Sequence, residues 1–260
     1  FIGYGQMTDA IALGIHQCAL NYTVVAVEPN EHRLAWIGKE RPFIQLMSLD
    51  DAVMQCNILF LAVKPQQVHN VAQQLSQPIQ SNQLIISMMA GVSISTCQQL
   101  FDHNRVVRIM PNMPAKLQKG VTGIVFSDLL DNNDKRVCSD LLTPIGEVCV
   151  LHSENDINII TAISGSGPAF FYRMVREFAQ FAVDQGLDYE TALLSATQTM
   201  IGAGHMLLTS EPNHLIDQVS SPNGTTQTGL NVMDELDFDG TIAQVLEGTY
   251  NRAIELSKED

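Results

Sequence analysis

Apolar and polar positions divide the chain into two textures. In the first, short apolar runs at 23–27, 58–63, 84–88, 106–109 and 121–126 alternate with polar or helix-like stretches. Runs of that length predict buried strands, and their alternation predicts a doubly wound parallel sheet. From about Asn155 strand-like runs nearly vanish. Phe171, Met174, Val175, Phe178 and Phe181 then recur at helical spacing, as do Leu193, Ala196, Thr197, Met200 and Ile201. The second of these helices is rich in small residues (Ala192, Ala196, Gly202, Ala203, Gly204), which lets helices approach closely. A last helix is predicted at about 240–258. The expected architecture is α/β, with a sheet domain over 1–152 and a helical domain over 153–260, and no internal repeat or low-complexity linker between them.

The start of the chain adds chemistry to the first domain. Gly3-Tyr4-Gly5-Gln6-Met7-Thr8 follows a residual strand and opens a helix. Gly3 permits a tight turn and Gly5 lets backbone approach a pyrophosphate at the helix terminus, as in a Rossmann-type dinucleotide fingerprint. Thr8 replaces the usual third glycine and is small enough for helix–strand packing. The second strand ends at Val27-Glu28-Pro29, so Glu28 falls roughly twenty residues beyond Gly5, where an acidic side chain accepts hydrogen bonds from the adenosine ribose. That spacing favours tolerance of NADH, while Arg33 would serve a 2′-phosphate if Glu28 turned away. Ala62-Val63-Lys64-Pro65 closes another strand at its carboxyl edge, where open α/β sheets place ligands. Lys64 there reads either as an exposed loop lysine or as a group facing the crevice. Asn112, in Met110-Pro111-Asn112-Met113-Pro114, offers donor and acceptor atoms to a nicotinamide or simply belongs to a stiff turn.

A second anion-holding pattern lies far along the chain. Ser220-Ser221-Pro222-Asn223-Gly224-Thr225-Thr226 runs into apolar positions at helical spacing (Leu230, Met233, Leu236). Free backbone N–H groups, a positive dipole end and hydroxyl donors would hold a small carboxylate. Serine and threonine before a helix also serve as plain caps.

Composition narrows the partners. Twenty-eight acidic against fourteen basic residues give a net charge of −14, a surface that repels phosphate backbones and anionic lipid, so neither nucleic acid nor membrane is expected. No run approaches the roughly eighteen apolar residues of a membrane span, and no signal-peptide pattern is present. Five scattered cysteines predict reduced thiols in the cytoplasm. The seven histidines show no metal-ligand spacing, so no metal is expected. The chain opens on Phe1 without a methionine, which predicts that its first strand begins ahead of Phe1.

Taken in order, the motifs resemble the pyrroline-5-carboxylate reductase family. The matching elements are Phe1-Ile2-Gly3-x-Gly5-x-Met7, Ala62-Val63-Lys64-Pro65, Ala90-Gly91-Val92, Arg108 with Met110-Pro111-Asn112-x-Pro114, Ser164-Gly165-Ser166-Gly167-Pro168-Ala169 and Ser221-Pro222-Asn223-Gly224-Thr225-Thr226. The chain departs from the family pattern at Thr8, at Asn223 where a glycine is usual, and at Glu28 where serine or another phosphate-compatible residue is common. The resemblance implies hydride transfer from NADPH or NADH to the cyclic imine 1-pyrroline-5-carboxylate, giving L-proline. It implies Gly3, Gly5, Gln6, Met7, Glu28, Ala62, Val63, Lys64, Pro65 and Asn112 around the cofactor. Ser221, Gly224 and Thr225 would grip the substrate carboxylate, and the Thr226 hydroxyl would contact the ring nitrogen, with Lys64 near the nicotinamide. It also implies a helical domain that forms a homodimer, and in the family such dimers often assemble into rings. Two alternatives remain open: a related NAD(P)-dependent imine or β-hydroxyacid reductase, and a reductase-like protein that binds nucleotide without turnover.

Overall fold

The computed structural model describes residues 1–18 and 21–257, which form two compact units. The first holds residues 1–166 and the stretch from Thr249 onward; the second holds Gly167–Gly248.

In the first unit the apolar runs become strands. They are β1 (Val24–Ala26), β2 (Ile44–Leu46), β3 (Ile58–Leu61), β4 (Leu84–Ser87), β5 (Val106–Met110), β6 (Gly120–Phe126) and β7 (Gly146–Val150). β1 pairs in parallel with β2, and β3 to β5 run parallel to one another. Ile2 bridges both Val27 and Leu61 in parallel, so the chain start lies between β1 and β3. The order β2-β1-Ile2-β3-β4-β5 is that of a Rossmann-type sheet, with its switch point at Ile2.

The sheet is not parallel throughout. β6 runs antiparallel to β5, and β7 pairs in parallel with β6. Residues 111–119 are all that join β5 to β6, fewer than the dozen or so that a parallel crossover requires, so the strand turns straight back. β2 and β7 were not foreseen from the apolar pattern. β2 has three residues, of which only Ile44 is buried, and β7 lies at an edge with Glu147 exposed.

Both faces of the sheet are covered. Along β3, Phe60 belongs to one apolar cluster and Leu59 and Leu61 to another. Ile86 and Ile85 divide the same way on β4, as do Val107 and Val106 on β5. Alternate side chains therefore feed two cores, as expected for strands buried on both sides. Around them pack α1 (Gln6–Gln17), α2 (Glu31–Glu40), α3 (Leu49–Gln55), α4 (Val68–Gln74), α5 (Ile94–Phe101), α6 (Asn132–Leu142) and α7 (Glu154–Ile160). A π-helical turn, Thr161–Gly165, follows α7.

The second unit is helical: α8 (Gly167–Asp184), α9 (Tyr189–Met206), α10 (Pro212–Val219), α11 (Thr225–Glu235) and the first part of α12 (Phe238–Leu256). The two long helices foreseen from spacing are α8 and α9, and the last is α12; Lys258 and Asp260 lie outside the described residues. Ala179 of α8 packs with Ala192 and Ala196 of α9, so small side chains do bring these helices together. Gly202 and Gly204 have open space where a Cβ would stand. The large apolar residues of α8 face outward: Phe171, Phe178 and Phe181 are 54%, 60% and 67% exposed.

Candidate active site

At the switch point the chain leaves Ile2 and enters a turn in which Gly3 adopts φ +91°. A Cβ on Gly3 would stand 2.8 Å from the Ala62 carbonyl oxygen, so both dihedral and space require glycine. The Gly3 N–H donates to the Val27 oxygen at 2.9 Å. Thr8 is almost fully buried one turn into α1, and its hydroxyl donates to the Gly3 carbonyl at 3.4 Å. It fills the position of the third glycine and ties the helix to the turn.

Gly5 is different. It caps α1 with φ −89° and makes no side-chain hydrogen bond, and a Cβ there would meet nothing within 4 Å. Nothing in the protein asks for glycine at this position. Gly5 instead lines a cavity of about 790 Å³ at the carboxyl edge of the strands, with open space where its Cβ would stand. Open space before an uncapped helix N-terminus suits a pyrophosphate, and the volume is that of a small-molecule site.

Gly3, Glu28, Ala62, Val63 and Lys64 line this cavity together with Gly5. Glu28 is held firmly: its Oε2 accepts the Tyr4 N–H at 3.0 Å and its Oε1 the Asn30 N–H at 2.9 Å. Lys64 is exposed, caps the short 3₁₀ turn Pro65–Gln67 and makes no ion pair among the described residues. Of the other expected residues, Gln6 accepts a hydrogen bond from Lys116 at the surface, and Met7 packs against the core. Neither lines the cavity, and neither does Pro65. Asn112 is buried with both polar atoms engaged: Nδ2 donates to the Ser164 oxygen at 3.0 Å, and Oδ1 accepts the Val121 N–H at 2.9 Å. Its evident work in this structure is to tie the loop after β5 to the π turn and to β6.

Sequence reasoning missed one wall. Gln67, Asn70, Val71 and Gln74 all line the cavity. They stand at i, i+3, i+4 and i+7, on one face of α4 and its N-cap Gln67, shortly after β3 and Lys64. Polar residues at helical spacing beyond a ligand-bearing strand end were the available signal. Tyr4 also supports the turn. Its hydroxyl donates to Asp9 Oδ1 at 3.0 Å, and Arg41 grips the same carboxylate through two bonds of 2.8 and 2.9 Å. Burial, with Asp9 alongside, pushes the Tyr4 hydroxyl far above its ordinary range, so it stays a neutral donor.

The loop 220–226 belongs to the second unit. Asn223 takes the left-handed conformation, φ 58°, which explains why asparagine can stand where a glycine is usual. Gly224 caps α11 without a side-chain bond, its N–H donating to the Ser221 oxygen at 2.9 Å. A Cβ on Gly224 would collide with the Ser221 hydroxyl. The plain capping reading does not hold here. Ser221, Thr225 and Thr226 are exposed, and their hydroxyls make no hydrogen bond among the described residues. The Ser220 hydroxyl is buried without a partner. Three free hydroxyls thus surround an uncapped helix N-terminus. No helix of the described residues is long and apolar enough to cross a membrane, and those residues contain no cluster of three metal-ligating side chains.

Comparison with known proteins places these features in one family. The family model described as pyrroline-5-carboxylate reductase dimerisation matches residues 154–256, and that of NADP oxidoreductase, coenzyme F420-dependent, matches 1–91. A pyrroline-5-carboxylate reductase of Bacillus subtilis is 32% identical over all of this chain and 95% of its own length. The chain belongs to the pyrroline-5-carboxylate reductase family. The Pisum sativum member is 31% identical, over 99% of this chain and 95% of its own. Among solved members, the reductase of Coxiella burnetii superposes with a TM-score of 0.89 at 28% identity, covering 99% of this chain and 97% of that one. The Plasmodium falciparum reductase, solved with NADP bound, gives 0.86 at 26%, with the same coverage. The α/β fold with its helical second part is therefore that of the family. The dimerisation match begins at α7, although α7 packs on β5 and β6 in the first unit.

Proposed function

We propose that this protein is a pyrroline-5-carboxylate reductase, an NAD(P)H-dependent oxidoreductase that reduces the C=N bond of 1-pyrroline-5-carboxylate to give L-proline. The observation that carries the reading is the match to the family along the whole chain, joined to a cavity whose glycine at position 5 the protein itself does not need. Residues 1–152 would hold the dinucleotide, and 153–260 the substrate and the dimer contact.

When bound, the cofactor supplies a hydride from its nicotinamide. Gly3 shapes the turn, and Gly5 with the first N–H groups of α1 receives the pyrophosphate. Glu28 accepts the ribose hydroxyls, while Ala62, Val63, Lys64 and Pro65 line the strand end toward the nicotinamide. Gln6 and Met7 follow in the first turn of α1, and Asn112 shapes the loop beyond β5. Lys64 offsets the negative charge of the substrate. In the other unit, Ser221, Gly224 and Thr225 bind the carboxylate through a hydroxyl and backbone N–H groups, and Thr226 donates its hydroxyl to the ring nitrogen. A hydroxyl is too weak an acid to be the proton source alone, so Thr226 orients the ring nitrogen and relays to it a proton drawn from water as the hydride reaches the adjacent carbon.

The exposed aromatic residues of α8 support a homodimer, and we extend this to dimers joined into a larger ring. Five free cysteines support a cytoplasmic setting. The test is a spectrophotometric assay with pyrroline-5-carboxylate and each dinucleotide in turn. Oxidation of the cofactor only when the imine is present is expected; no oxidation with either cofactor overturns the reading.

A further inference from the structure

We propose that this enzyme selects NADH over NADPH, and that Glu28, locked in place by Tyr4 and Asn30, is the residue that excludes the phosphorylated cofactor. The proposal rests on the functional reading above. The two dinucleotides differ only at the adenosine ribose, where NADPH carries a 2′-phosphate and NADH a hydroxyl. The carboxyl edge beyond β1, next to the glycine turn, is where a Rossmann-type sheet reads that group.

Three observations bear on what a 2′-phosphate would meet there. Glu28 lines the cavity just past the end of β1, and each of its oxygens accepts one backbone N–H, from Tyr4 and from Asn30. The remaining lone pairs can accept ribose hydroxyls, whereas turning the carboxylate aside would strand both N–H groups. Second, among the described residues no cation lines the cavity beside Glu28. Lys64 is the one lysine or arginine lining the cavity, and it follows β3, across Ile2 from Glu28.

Third, Arg33, the nearest alternative, is committed elsewhere. It does not line the cavity; its Nε donates to the Tyr4 carbonyl at 2.8 Å, and its guanidinium lies 4.1 Å from the centre of the Trp36 ring. Its Nη2 is covered by protein, and swinging the guanidinium into the cavity would give up both the Tyr4 bond and the Trp36 stack. Arg41 is likewise paired, to Asp9. A phosphate would therefore face a fixed carboxylate with no guanidinium lining the cavity to offset it, and like charges so placed give strong discrimination. The same carboxylate rewards the free hydroxyl of NADH.

Trp36 is the sole tryptophan, and its emission, followed together with titration calorimetry, reports dinucleotide binding in the absence of imine. The expected result is binding of NADH at least about tenfold tighter than NADPH. In Glu28→Ser the ratio should fall below about threefold or invert, chiefly through a gain for NADPH, while cooperative thermal unfolding is retained. In the wild-type protein, raising ionic strength should shrink the preference as the repulsion is screened. Equal or tighter binding of NADPH by the wild type overturns the proposal. So does an unchanged ratio in a folded Glu28→Ser, or, should that variant not fold, a wild-type ratio indifferent to salt. Binding of neither dinucleotide overturns the functional reading itself and this inference with it, so the two failures are told apart.

Discussion

Gly3 and Gly5 stand two residues apart in one turn, yet the protein's own structure requires only the first to be glycine. Gly3→Ala would place a side chain on a φ of +91° against the Ala62 carbonyl, and should destabilise the fold by about 1–3 kcal/mol. Gly5→Ser meets no such obstacle. Serine is the better helix cap, so unfolding experiments on the unliganded protein should show a gain of a few tenths, about 0.3 kcal/mol. The same substitution should weaken dinucleotide binding at least about tenfold, because the side chain enters the space the pyrophosphate needs. Thr226 gives the complementary case. It is exposed and makes no hydrogen bond among the described residues, so Thr226→Ala should leave the melting temperature nearly unchanged. Turnover with pyrroline-5-carboxylate should fall on the order of 10²-fold; unaltered steady-state kinetics would remove Thr226 from the site.

Among the elements, α7 is tied to β5 by an ion pair as well as by packing. Arg108 of β5 is 3% exposed in its side chain and donates to Glu154 Oε1 at 2.8 Å, and the same oxygen accepts the Ile94 N–H at the start of α5 at 2.9 Å. Removing the carboxylate leaves a buried guanidinium uncompensated. Glu154→Ala should cost about 3 kcal/mol in chemical denaturation, with Glu154→Gln recovering part of it through its remaining acceptor. At this scale the sequence was legible where chemistry and pattern agreed. Five apolar runs became β1 and β3 to β6, and the periodic segments became α8, α9 and α12. It was not legible where an element had too few buried positions, as in β2, or sat at an edge, as in β7. The reversal of β6 was hidden because strand direction is set by the length of the connection. The cavity wall on α4 was hidden because Gln67, Asn70 and Gln74 look like an ordinary wet face until the strand beside them is known to hold a ligand. Asn112 could be read from sequence either as a ligand contact or as part of a stiff turn, and only the structure shows both its polar atoms bonded to backbone.

For the whole molecule, the outward face of α8 is the expected dimer contact. Phe171, Tyr172, Phe178 and Phe181 are each more than half exposed, on the segment matched by the family's dimerisation model. Apolar area of that kind is seldom left to water. Phe178→Asp should therefore convert the dimer to monomer without unfolding it, read by light scattering on a sizing column; a persistent dimer would place the contact elsewhere. The first unit is also discontinuous in sequence, completed by the last turns of α12. Gly91, at φ +84°, lets the Leu256 carbonyl approach so closely that a Cβ would collide with it, and Tyr250 and Ser257 bond to Asn155 and Asn158. A nascent chain leaves the ribosome in order, so the sheet that begins to fold first must wait for its last covering turn until α12, far along the chain, has also been made. Until then, the surface around Gly91 is the place where a chaperone would find this protein incomplete.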